Sequence, residues 1–113
     1  MTGSGTVVWA PDPFKTGGNP RPWLVVSRGL PYGAEESVAV ALSTQSHHDG
    51  TVEIPPEAWV RGRPETPSYV LPWSVATLKD DLHVVGRQGS VSDEFTGRIA
   101  RELASYLDTD GGE

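Results

Sequence analysis

Gly5-Thr6-Val7-Val8-Trp9-Ala10-Pro11-Asp12-Pro13 and Asn19-Pro20-Arg21-Pro22-Trp23-Leu24-Val25-Val26-Ser27 decide how this chain begins to fold. β-Branched and aromatic residues crowd positions 7–10 and 23–27, while Pro11, Pro13, Gly17, Gly18 and Pro20 punctuate the stretch between them. That pattern predicts a strand, a long loop and a second strand. Arg21 stands where the loop meets the second strand. A guanidinium at the mouth of a strand pair suits a phosphate, because its planar fork gives two parallel hydrogen bonds to anionic oxygens. The plainer role for the same residue is a surface arginine that fixes the loop through an ion pair, for instance with Asp12.

Outward from this pair, a turn around 29–33 leads into 37–43, a near-continuous apolar run expected to be a central strand buried on both faces. A brief alternation at 51–54 ends at Pro55-Pro56, since proline cannot donate to a ladder. Residues 56–59 can start a single helical turn, and 61–67 reads as a polar loop with two prolines. Short strands are predicted at 68–71 and 74–78, split by Pro72, and at 83–85 between Asp80-Asp81 and Gly86. A helix follows. Ser92 is a good N-cap, and Asp93 and Glu94 suit the positive end of the helix dipole. Phe95, Ile99, Leu103 and Leu107 recur every four residues as one apolar stripe that should pack across the sheet.

The 113 residues, 36% of them apolar, support one domain with one core. The 13 glycines and 10 prolines are spread along the chain, which reads as many tight turns between short strands. The expected fold is therefore mainly β with a C-terminal helix, in a single domain over 1–107, with a frayed acidic tail at 108–113. Cysteine is absent, which excludes disulfides, thiolate nucleophiles and cysteine zinc sites. The longest strictly apolar run, Val38-Ala39-Val40-Ala41-Leu42, is far too short to span a bilayer, and a soluble, cytoplasmic protein is expected.

The early strand pair resembles the start of toxins of the MazF/PemK family, small ribonucleases that cut single-stranded RNA. The glycine, paired valines, tryptophan, Asp-Pro and Arg-Pro, then an apolar strand and a serine, match the family in order. Leu42-Ser43-Thr44-Gln45-Ser46 looks like the hydroxyl-rich strand end that carries the family's second active-site residue. The resemblance runs from about Gly5 to Leu107 and fades between Thr51 and Leu71. It implies a small SH3-like barrel, a homodimer, a single-stranded RNA substrate and a cognate antitoxin as partner, with no cofactor and no metal. Carried across, the family's catalytic arginine falls on Arg21 and its catalytic threonine on Ser43, with Thr44 beside it. Side chains alternate faces along a strand, so only one of the two hydroxyls can point at Arg21 unless the strand has already ended there.

Two features depart from the family. Its first loop often carries a carboxylate before the arginine, whereas Lys15-Thr16-Gly17-Gly18-Asn19-Pro20 has none. Typical members are basic, whereas this chain has a net charge of -6, with 15 acidic residues against seven arginines and the two lysines Lys15 and Lys79. Nucleic-acid binders usually draw affinity from basic surface and counterion release. A cytoplasm of concentrated salt, as in a halophilic prokaryote, reconciles the two. At about 1 M salt the Debye length shrinks to about 3 Å, so only charge at the site itself matters.

Metal-free RNA cleavage needs a base for the 2′-OH proton, a cation for the charge on the pentacoordinate phosphorus, and an acid for the leaving 5′-oxygen. Arg21 suits the second role, and Ser43 or Thr44 can add a hydrogen bond to the same phosphate. His47-His48-Asp49 holds imidazoles whose unperturbed pKa of about 6.5 suits proton transfer, and His48 is the candidate to replace the missing carboxylate, against the plainer reading of a polar turn. Two adjacent histidines and an aspartate reproduce no strong metal spacing. Lys15, Asn19, Gln45, His47 and Trp73 are candidates for holding RNA, Lys15 and Asn19 in a glycine-rich flap and Trp73 as a stacking platform.

Two other functions fit the same barrel. One is a CcdB-like gyrase poison, which depends on a C-terminal Trp-Gly-Ile, whereas this chain ends Asp110-Gly111-Gly112-Glu113. The other is a non-catalytic RNA-binding or regulatory module, which the carboxylate-free loop favours.

Overall fold

A computed structural model describes residues 3–12, 18–27, 30–31, 35–46 and 49–107. The early strand pair forms as β1 (Thr6–Ala10) and β2 (Arg21–Val25), antiparallel, with Val8 opposite Trp23 and Ala10 opposite Arg21. The apolar run is β3 (Glu36–Ser43), followed by β4 (Val52–Glu53), a 3-10 turn (Pro56–Ala58), β5 (Trp59–Arg61), β6 (Tyr69–Lys79), helix α1 (Asp80–His83), β7 (Gly86–Val91) and helix α2 (Asp93–Tyr106). All seven strands join one antiparallel sheet in the order β4-β6-β3-β2-β1-β7-β5. Its mainly β content, its order and its C-terminal helix give the expected fold class.

Period-two alternation sends side chains to two faces, and each face builds a core. Val7, Leu24, Val40 and Leu42 meet Phe95 and Ile99 of α2 on one side. Val8, Ala10, Trp23, Val25, Ala39 and Ala41 cluster with Ala76 and Leu78 on the other. β3 contributes to both, and β2 and β6 pair on either side of it, as expected of a strand buried on both faces.

Three expectations need correcting. Tyr69–Lys79 is one strand and not two, because β3 pairs Val40 with Val75 and then Ala41 with Leu71, leaving Pro72, Trp73 and Ser74 bulged out of the ladder. A proline fits there since a bulge asks for no N–H. Of the predicted strand at 83–85, His83 instead ends α1, where its Nδ1 accepts a hydrogen bond from the Lys79 amide at 2.8 Å, Val84 and Val85 lie between the elements, and the strand starts at Gly86. The α2 stripe is also shorter than its periodicity suggests. Phe95 and Ile99 are buried and Leu103 packs against them, but Leu107 is 67% exposed where the helix ends. The cap is as expected, with Ser92 Oγ accepting from the Phe95 amide at 3.1 Å.

Among the described residues, no helix is long and apolar enough to cross a membrane. The tail at 108–113 lies outside the described residues.

Candidate active site

The antiparallel order brings the end of β1, the start of β2, the end of β3 and the start of β6 to one end of the sheet. Arg21 is the first residue of β2, and Pro22 after it restricts its backbone to the extended region. Pro22 has no N–H for the ladder, and pairing with β3 begins at Trp23–Ala41. The next carbonyl along β3, Leu42 O, accepts a hydrogen bond from Arg21 Nη2 at 2.7 Å. Arg21 Nη1 faces Asp12 Oδ2 at 3.4 Å, so the ion pair of the plainer reading does form. The guanidinium carbon lies 5.8 Å from the centre of the Trp23 ring. That ring is itself fixed, its indole N–H donating to Ala10 O at 3.1 Å.

These contacts orient the guanidinium without exhausting it. Its side chain keeps 28% of its surface exposed, and a guanidinium has five N–H donors. It opens onto a cleft of about 560 Å3 whose lining includes Trp9, Arg21, Ser43, Thr44, Glu65 and Gln88. β3 ends at Ser43, opposite Tyr69, and Thr44 already lies beyond the strand. The alternation rule therefore no longer separates the two residues, and both line the cleft. Ser43 Oγ accepts the Gln45 amide at 3.0 Å, which leaves its own proton to donate.

The cleft thus unites Arg21, Ser43 and Thr44. Asn19 and Gln45 are exposed and are not among its lining residues. Trp73 is 39% exposed but stands edge-on to Tyr106, with ring centres 5.8 Å apart, and does not line the cleft either. Lys15, His47 and His48 lie outside the described residues. Among the described residues, no three His, Asp or Glu side chains are grouped to hold a metal.

Glu65, Thr66, Gln88 and Trp9 join the cleft without having been singled out for it. Gly62 and Gly89 explain how the 62–68 segment arrives there. Gly62 has φ +72°, and a Cβ on it would overlap the Gln88 carbonyl and lie 2.8 Å from Gly89 Cα. Only two glycines let these backbones touch. The one local hint was the stiff run Pro64-Glu65-Thr66-Pro67, which says that the loop is ordered and not what it faces.

Residues 4–107 match the family of PemK-like, MazF-like toxins of type II toxin–antitoxin systems. This chain belongs to that family. No curated protein sequence matches it. Among solved structures it is similar to an endoribonuclease in complex with its cognate antitoxin from a mycobacterial species, at 26% identity over 94% of this chain and 92% of that one, with a TM-score of 0.69. A mycobacterial endoribonuclease on its own gives 25% identity over 94% and 90% of the two chains, with a TM-score of 0.68. A chain of the MazE–MazF structure from Deinococcus radiodurans shares the fold, at 18% identity over 97% and 98% and a TM-score of 0.71. In this member of the toxin family Arg21-Pro22 opens β2.

Proposed function

We propose that this protein is the toxin of a toxin–antitoxin pair and acts as a metal-independent endoribonuclease on single-stranded RNA. The observation that carries the reading is the meeting of Arg21, Ser43 and Thr44 in one cleft, on a chain of this toxin family. Arg21 holds the scissile phosphate and stabilises the charge that builds on it, in the orientation set by Leu42 O and Asp12. Ser43 or Thr44 donates to another phosphate oxygen, and Trp9, 37% exposed on the cleft, offers a face on which a base can stack. A cognate antitoxin silences the enzyme by covering this cleft. The reading places the protein in the cytoplasm, as a homodimer that sediments at twice 12.1 kDa, with the exposed Leu82 and Val85 available to the interface.

The test is incubation of the purified protein with a long single-stranded RNA, without divalent metal and from low to molar salt, with the products' ends mapped. Discrete cuts leaving 2′,3′-cyclic phosphates, lost in a folded Arg21→Ala variant, are expected. RNA bound but left intact at every salt would make the protein a non-catalytic binding module instead.

A further inference from the structure

Arg21 cannot take a proton from a ribose hydroxyl, because a guanidinium stays protonated at any biological pH. The Ser43 and Thr44 hydroxyls are neutral and weakly basic. The loop between Pro13 and Pro20 holds no carboxylate, and Asp12 is engaged with Arg21 and is not among the cleft's lining residues. Glu65 is the one carboxylate in the described lining of the cleft. It is exposed and makes no ion pair among the described residues, so its oxygens are available to a substrate. Its segment is also held in place. Gly62 is pressed on Gln88 and Gly89, the Ile54 amide donates to Ser68 O at 2.9 Å, and prolines stand at 64 and 67.

We infer that Glu65 is the general base of the reaction, supplied by the β5–β6 connection in place of a carboxylate in the first loop. This rests on the ribonuclease reading above. With the phosphate on Arg21, a Glu65 oxygen accepts the proton of the adjacent 2′-OH. The 2′-oxygen forms a bond to phosphorus as the bond from phosphorus to the 5′-oxygen breaks, and the leaving oxygen takes a proton from solvent. The products are a 2′,3′-cyclic phosphate and a 5′-hydroxyl, and Glu65 returns its proton to water. The charged groups around it are Arg21 on the same cleft, Asp12 paired to that arginine, and Arg63 and Glu53 on the adjoining hollow that Glu65 also lines.

The experiment compares the full chain with Glu65→Gln, Glu65→Asp and Arg21→Ala. Metal-free cleavage is followed across pH, and affinity is measured on the same RNA with a 2′-deoxy nucleotide at the cut. General-base catalysis contributes about 10²- to 10⁴-fold, so Glu65→Gln should lose about that factor in rate while binding the deoxy RNA as the parent does. The parent and Glu65→Asp should show a rate that rises from acid pH and then levels, and Glu65→Gln should lose that rise. A Glu65→Gln enzyme within about threefold of the parent, or one keeping the acid limb, overturns the assignment while the ribonuclease reading stands. A parent that cuts no RNA under any condition, no better than Arg21→Ala, overturns both.

Discussion

The neighbours of Arg21 remove much of its freedom. Leu42 O, Asp12 and the Trp23 ring hold its fork at the end of the sheet, so little rotamer entropy is left to lose when a phosphate arrives. Trp9 and Trp73 have nearly the same exposure, 37% and 39%, and the fold gives them different surroundings. Trp9 lines the cleft beside Arg21, whereas Trp73 is turned edge-on to Tyr106. Loss of a base stack costs about 1–3 kcal/mol in single-strand binders. Trp9→Ala should therefore weaken binding of the uncleavable RNA by about that amount, while Trp73→Ala leaves it unchanged. Fluorescence titration of labelled RNA checks both, and equal losses would place the stacking surface elsewhere.

At the scale of elements, α2 shows where periodicity stops being a guide to energy. Four apolar residues share one face, but only those lying over the sheet are removed from water. Ile99→Ala, at a fully buried position, should cost about 2–5 kcal/mol, whereas Leu107→Ala should stay within about 0.5 kcal/mol of the parent. Ser92→Ala loses the N-cap bond to the Phe95 amide and should cost about 1 kcal/mol. Urea unfolding of the three variants ranks them, and a Leu107→Ala loss matching that of Ile99→Ala would mean that the helix end is covered in solution. β7 makes the converse point. Gly86-Arg87-Gln88-Gly89-Ser90-Val91 has one apolar residue and no strand signal, yet it is a strand because β1 and β5 both pair with it. β5 escaped prediction for the same reason, being a three-residue strand whose ladder lies about thirty residues further on, in β7. Pro72 hid the unity of β6, since proline ordinarily marks an interruption and only the partner strand shows that it sits in a bulge.

Across the whole molecule, a net charge of -6 sets the terms on which an RNA can approach. Arg21 is the one cation among the described lining of the cleft, so few counterions are released when a single strand binds. The slope of log affinity against log salt is about -0.7 per neutralised phosphate, and this protein should give a slope shallower than about -2. Titration of the 2′-deoxy-substituted RNA from 50 mM upward measures it. A slope near -5 would mean that arginines away from the cleft carry the binding. The sequence by itself determined the early strand pair, the doubly buried β3 and the capped C-terminal helix, because each is written in neighbouring residues as propensity, alternation or capping, whereas the candidacy of Arg21, Ser43 and Thr44 came from the family resemblance. Only the tertiary structure decided that Ser43 and Thr44 both line the cleft, that Trp9 and not Trp73 lines it, and that Glu65 is the carboxylate among its described lining residues. Those outcomes depend on where a strand ends against its partner and on two glycine backbones, at 62 and 89, meeting across the sheet. Contacts between residues far apart in the chain leave no local pattern to read.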